Sequence, residues 1–182
     1  SLMLAQKTAA TITAIEIEAD AIQQTKANFE LSPWKERLDV VHTSIQDYAA
    51  DNKQQLFDCI ITNPPFYEQD LTSPDHAKNL AAHSTALSWD DLVKSVASLL
   101  QENGSWYVLV QTLRAYTMQK IASNYGLELA EECLMYNDAK HLPIRAMLKF
   151  IKQKEVVIQR NKIIIKNADQ SYTTEFTTLL KE

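Results

Sequence analysis

Apolar and polar positions divide this chain into alternating strand-like and helix-like stretches. Thr11 to Glu18 alternates and is rich in β-branched residues, which predicts a strand. Ser1 to Lys7 before it reads as the tail of a helix. Ala19 to Leu31 is helical in composition and stops at Ser32-Pro33, because the residue before proline avoids the helical region. Leu38 to Ile45 predicts a second strand and Gln46 to Lys53 a short helix. A third strand follows over Phe57 to Thr62, where Cys59-Ile60-Ile61 suits a strand covered on both faces. Pro64 and Pro65 cannot continue a ladder, so it ends by Asn63.

Tyr67 to Ser88 is a long polar connection of the kind that carries function in compact domains. Ser88, with Asp91 three residues on, caps a helix expected to run to Glu102 and to end at Asn103-Gly104. Trp106 to Val110 reads as a strand and Leu113 to Tyr125 as a helix ended by Gly126. Glu128 to Tyr136 and Ile144 to Ile151 form a strand pair, and Val156 to Ile158 with Ile163 to Ile165 a hairpin across Asn161. From Ser171, the spacing of Tyr172, Phe176, Leu179 and Leu180 predicts a closing helix with one apolar face. Strand and helix alternate before the last strand pair, which predicts an α/β fold. Its sheet is doubly wound and mostly parallel, with an antiparallel edge strand.

Composition adds bounds. A chain of 182 residues is one ordinary domain, 1–182, with 153–182 as a hairpin-plus-helix extension. Hydrophobic residues at 46% and charged residues at 23% are globular values. Cys59 and Cys133 have neither the number nor the spacing of a disulfide framework or zinc site, which predicts a reducing, cytoplasmic setting. No apolar run has the length of a membrane span, so no membrane partner is expected. The net charge of −5 hides an asymmetry. Lys140 to Lys166 holds eight Lys or Arg against the single acid Glu155. Such a strip either steers a polyanion or guards a strand edge.

Candidate chemistry gathers at strand ends. Ligands of open α/β sheets bind at the carboxyl ends of the strands. Asn63-Pro64-Pro65-Phe66 there offers an amide, a carbonyl of set direction and an aromatic ring, although a plain Asn-Pro turn remains open. Glu16 or Glu18 can accept hydrogen bonds from ribose hydroxyls, and Ser44-Ile45 would flank an adenine ring. A nucleotide site also needs a Gly-rich turn, and the chain has only Gly104 and Gly126. Either the site is of another kind, or its first strand and turn lie before Ser1. His42, His76, His83 and His141 are scattered without ligand spacing, so no metal is expected. The Asn63 amide oxygen and Pro64 carbonyl suit the two N–H groups of a conjugated amine. Phe66 or Tyr67 can stack on its base.

These residues carry a family resemblance. Asn63-Pro64-Pro65-Phe66 resembles the amino-methyltransferase motif of class I S-adenosylmethionine-dependent enzymes. Glu16-Ile17-Glu18 is similar to their acidic strand end. Ile163-Ile164-Ile165-Lys166 and Asp169 to Phe176 resemble the bacterial tRNA1(Val) adenine-N6 methyltransferase family, as does Ser32-Pro33-Trp34. The resemblance implies a Rossmann-like sheet lacking its first strand, S-adenosyl-L-methionine as cofactor and tRNA as partner. It implies methylation of N6 of the adenosine beside the anticodon, at tRNA position 37. By resemblance, Asn63, Pro64, Pro65 and Phe66 are catalytic, and Glu16, Ile17, Ser44, Ile45 and Asn63 bind cofactor. Phe66, Tyr67, Lys149, Lys152 and Lys154 would meet the RNA. Ser44 stands where many relatives place Asp. Alternatives are a glutamine-N5 protein methyltransferase, a guanine-N2 rRNA methyltransferase, or an RNA-binding module without cofactor. Oligomeric state is not legible.

Overall fold

Ile12–Glu16 forms β1 and Leu38–His42 forms β2, and the two pair in parallel from Ile12 opposite Leu38 to Glu16 opposite His42. These elements belong to a computed structural model that describes residues 1–52, 56–64, 87–153 and 156–180. Backbone contacts group 1–52 as one unit and 53–181 as a second, and each is described by itself.

In the first unit, α1 (Leu2–Lys7) precedes β1, α2 (Ala19–Glu30) crosses over to β2, and α3 (Ile45–Asp51) follows. Ile22 and Phe29, two turns apart on α2, are buried with Val40 of β2, and Leu2, Ala14 and Leu38 pack against them. Each such side chain stabilises the unit by about 1.5–3 kcal/mol. Ser32 closes α2 as its proline neighbour requires, its hydroxyl donating to the Phe29 carbonyl at 2.8 Å. The Arg37 guanidinium donates to the carbonyls of Ala10, at 2.7 Å, and Ala5, tying the start of β2 to the α1–β1 connection. The second strand is shorter than its composition suggests. Ser44 accepts from the Asp47 N–H at 3.0 Å and donates to the Asp47 carboxylate at 2.6 Å, a cap that starts α3 at Ile45.

The second unit is a five-stranded sheet in the order β3-β4-β6-β5-β7. Its strands are β3 (Phe57–Thr62), β4 (Leu100–Gln111), β5 (Glu128–Tyr136), β6 (Arg145–Ile151) and β7 (Gln159–Ile164). β3, β4, β5 and β7 share one direction, and β6 alone opposes them. The mostly parallel α/β architecture is as expected, but the antiparallel strand is not at the edge. β6 returns from β5 and inserts between β5 and β4, which leaves parallel β7 outermost. The hairpin expected across Asn161 is instead this single strand, because residues 159–164 bond to β5. α4 (Trp89–Leu99), α5 (Ala115–Asn124) and α6 (Thr174–Leu180) complete the unit. Tyr172 precedes α6 and bridges back to Lys166.

Trp106, Val108 and Val110 of β4 and Ala146, Leu148 and Phe150 of β6 alternate inward. They are buried along with Leu92, Val93, Val96 and Leu99 of α4 and Met118 and Ala122 of α5. The opposite face is less buried: Tyr107, Leu109 and Cys133 on it are half-buried. Cys59 and Ile61 of β3 pair beside Ser105 and Tyr107 on the opposite face and are exposed, Ile61 at 52%. The expectation of a strand buried on both faces therefore fails for β3.

Gly104 also departs from expectation. α4 stops at Leu99 and β4 begins at once, so Gly104 lies inside a strand. The β3–β4 register jumps from Phe57 opposite Leu100 to Cys59 opposite Ser105, and the extra β4 residues crowd this corner. A Cβ on Gly104 would sit 2.8 Å from Leu100 Cδ1 and 3.0 Å from the Phe57 carbonyl oxygen. Gly104→Ala is expected to lower stability by about 1–3 kcal/mol in urea unfolding. Gly126 does end a helix. At φ 75° it follows α5, and the N–H groups of Gly126 and Leu127 return to the Ser123 and Ala122 carbonyls.

Candidate functional site

Each unit presents a polar strand end of its own. In the first, Glu16 closes β1 and turns its carboxylate back onto the chain. Oε1 accepts the N–H of Ile17 at 2.8 Å and of Glu18 at 2.9 Å. Those two bonds fix the carboxylate across the strand end, and its second oxygen has no partner among the described residues. Such an acceptor matches vicinal ribose hydroxyls. β2 is tied alongside, since the Thr43 N–H donates to the Glu16 carbonyl at 3.0 Å and His42 Nε2 lies 3.0 Å from the Ile17 carbonyl. Ile17 is 61% exposed at this end and offers an apolar surface. Ser44 and Ile45 follow β2, but the Ser44 hydroxyl already donates its hydrogen bond to the Asp47 carboxylate. It retains only acceptor capacity for an exocyclic amine. The Asp47 carboxylate, which the spacing of the sequence did not single out, sits at the same turn.

In the second unit, β3 delivers Thr62, Asn63 and Pro64 at its carboxyl end. Asn63 is exposed and Pro64 buried. The turn has a buttress. The Trp106 indole N–H donates to Thr62 Oγ1 at 2.9 Å, and Trp106 is fully buried against Phe150, ring centroids 5.1 Å apart. The residue before Asn63 is thus held from the core. Sequence reasoning missed this role, although a buried indole must find an acceptor and so signals one. Pro65, Phe66 and Tyr67 lie outside the described residues.

The expected basic strip divides. Lys149 Nζ pairs with Glu131 Oε1 at 2.6 Å and lies over the Tyr107 ring at 5.7 Å. That hydrogen bond to the Glu131 carboxylate holds the ammonium above its usual range. Lys152 Nζ donates to the Leu100 carbonyl at 2.6 Å. Lys152 belongs toward the amino ends of the parallel strands, because β6 runs backward from Arg145, which pairs with Gln111, to Ile151, which pairs with Ser105, whereas Lys149 pairs with Tyr107 and so stands level with Ile61 of β3. Lys152 is therefore not brought to the Asn63 end, Lys149 lies two strands across from Ile61 with its ammonium paired to Glu131, and Lys154 lies outside the described residues. Lys140, Arg145 and Lys166 from the same segment do stand at the carboxyl end, by the same register. Asp138, in the β5–β6 connection, is buried there. It accepts the Lys140 N–H at 2.9 Å and His141 Nδ1 at 2.7 Å, bonds that hold its carboxyl below the usual range.

Among the described residues no group of three or more His, Cys, Asp or Glu could hold a metal ion, and no helix is long and apolar enough to cross a membrane.

The parallel strands, the pinned acid after β1 and the Asn-Pro end of β3 define a methyltransferase-type α/β protein. Residues 1–127 match the family described as the methyltransferase small domain, and the chain belongs to that family. It is 33% identical to a tRNA1(Val) (adenine(37)-N6)-methyltransferase of Bacteroides fragilis, over all of this chain and 76% of that protein. It is 36% identical to the protein of the same name from Cytophaga hutchinsonii, with the same coverage. Its fold superposes with a TM-score of 0.70 on a crystal structure described as a predicted O-methyltransferase from Agrobacterium tumefaciens. That match has 13% identity and covers 93% of this chain and 76% of the other. A glycopeptide N-methyltransferase complexed with S-adenosyl-L-methionine gives 0.56 at 9% identity, over 83% and 80%.

Proposed function

We propose that this protein transfers a methyl group from S-adenosyl-L-methionine to N6 of an adenosine in tRNA, position 37 of tRNA1(Val). The observation that carries the reading is the Asn63-Pro64 strand end, with Thr62 pinned by the buried Trp106, in a chain 33% and 36% identical to two relatives bearing that name. Conjugation makes the N6 amine a weak nucleophile, so its lone pair must be drawn toward the attack direction. The Asn63 side-chain oxygen and the Pro64 carbonyl accept its two N–H groups, which localises the lone pair on nitrogen. No strong base is required, because the proton leaves easily once the new bond has formed. Phe66 and Tyr67 are assigned the flat faces of the base.

S-adenosyl-L-methionine, when bound, supplies the methyl group and its own leaving group. The residues at the end of β1 fit such a ligand. Glu16 would hold the ribose, Ile17 and Ile45 would line the adenine, and Ser44 would accept from its amine. Alignment of amine and donor then supplies much of the rate. Glu16→Ala removes the ribose acceptor and frees two turn N–H groups. It should weaken S-adenosylhomocysteine binding by about 10- to 100-fold in calorimetric titration. Binding within twofold of wild type would move the ribose elsewhere.

The decisive assay incubates the protein with labelled donor and total tRNA, then digests the RNA and maps the modified nucleoside. N6-methyladenosine beside the anticodon of tRNA1(Val) is the expected product. Label on guanine N2 or on a protein glutamine would replace this reading with one of its alternatives.

A further inference from the structure

We infer that the substrate RNA strand lies along the carboxyl edge of the five-stranded sheet, from Asn63 across the ends of β4, β6 and β5 to Lys166 and Tyr172 beyond β7. The inference rests on reading the chain as a tRNA methyltransferase and assigns the surface that reading needs. The sheet order places these ends side by side within one unit. Strands stand about 4.8 Å apart, so the track from β3 to β7 is about 19 Å long, enough for several nucleotides.

Its chemistry suits unpaired nucleotides rather than duplex. Exposed apolar and aromatic side chains alternate with cations along it. Leu113, after β4, is 91% exposed, Leu142, before β6, is 85% exposed, and Tyr172 is 61% exposed. Tyr172 rests on Phe176, centroids 5.4 Å apart, which stiffens it as a stacking platform. Tyr116 is also exposed and carries Lys120 Nζ 4.7 Å from its ring. In a chain of net charge −5, residues 111–127, which follow β4, hold Arg114 and Lys120 and no acid. The β5–β6 connection adds Lys140 and His141, Arg145 opens β6, and the connection's one acid, Asp138, is buried and engaged with His141. Beyond β7, Lys166 Nζ reaches Gln170 Oε1 at 3.5 Å, and Asp169 Oδ1 accepts the Ser171 N–H and hydroxyl at 3.0 and 2.6 Å. Among the described residues of these connections Asp138 is buried and Asp169 is capped by Ser171, while Lys140 is exposed.

The test measures tRNA affinity by anisotropy across a salt series, and methyl transfer separately. Lys140→Gln with Lys166→Gln should weaken tRNA binding about tenfold and flatten the log–log salt slope by about 1.4, two single-strand phosphate contacts. kcat at saturating tRNA should stay within about twofold. Tyr172→Ala should weaken binding by about fivefold or more, and Tyr172→Phe should restore it, since stacking needs the ring and not the hydroxyl. Arg160→Gln, at the amino end of β7, should change neither affinity nor slope. Wild-type affinity and slope in the Lys140/Lys166 variant overturn the track, as does an equal loss from Arg160→Gln. If wild-type protein methylates no tRNA while the edge variants still bind it more weakly, the functional reading falls and the surface stands. If wild type methylates tRNA and the edge variants bind normally, the surface falls and the functional reading stands.

Discussion

Asn63→Ala is expected to reduce methyl transfer by about 100-fold or more while leaving cofactor affinity within a few-fold. The size follows from what the side chain does. In the proposed reaction its oxygen accepts one N–H of the amine, and a single preorganised polar contact at a reacting centre is commonly worth 10²–10³ in rate. Alanine leaves the Thr62–Trp106 bond and the buried Pro64 in place, so the backbone of the turn should persist. The loss should then fall on kcat rather than on the KM for tRNA, because the acceptor matters most as charge develops on nitrogen. Asn63→Asp keeps an acceptor oxygen and should retain more turnover than alanine. Single-turnover transfer on purified tRNA reads both, and an alanine variant within tenfold of wild type would remove Asn63 from the reaction.

Replacing Trp106 should have the largest effect on stability. Trp106→Ala deletes a fully buried ring stacked on Phe150 and strands the Thr62 hydroxyl, and should cost about 3–5 kcal/mol in urea unfolding. Trp106→Phe separates the two contributions. The ring is kept, so most of the packing survives, but Thr62 loses its donor. That variant should cost about 1–3 kcal/mol and lower kcat more than it changes cofactor binding. A Phe variant with wild-type kcat would show that the indole bond serves the core and not the turn.

Strand content and direction were legible because they follow from local rules. Alternation and β-branching placed β5 and β6 close to their observed limits and found β1 and the start of β2. The prolines at 33 and 64 stopped their elements by geometry that no tertiary contact can relax. Gly126 closed its helix with a positive φ, a backbone demand visible in one residue. Gly104 misled because its constraint is not local. The carbonyl and side chain that exclude a Cβ come from Phe57, on a neighbouring strand, and from Leu100, across the bulge. β7 misled likewise, since residues 159–164 have little alternation of their own and become a strand by bonding to β5.

The candidate site divides along the same line. The chain's order of residues was enough to bring out Glu16 and Asn63, because an acid or an amide at the end of a β-branched run is a feature of primary structure. Folding alone settled which way Lys149 and Lys152 lie, which hydroxyl steadies Asn63's turn and which cations share its edge. Those outcomes depend on β6 inserting antiparallel between β4 and β5 and reversing its side chains along the sheet. Local patterning specifies the period and the ends of an element. The neighbour it pairs with, and so the end of the sheet its charges reach, is set by burial summed over residues far apart in the chain.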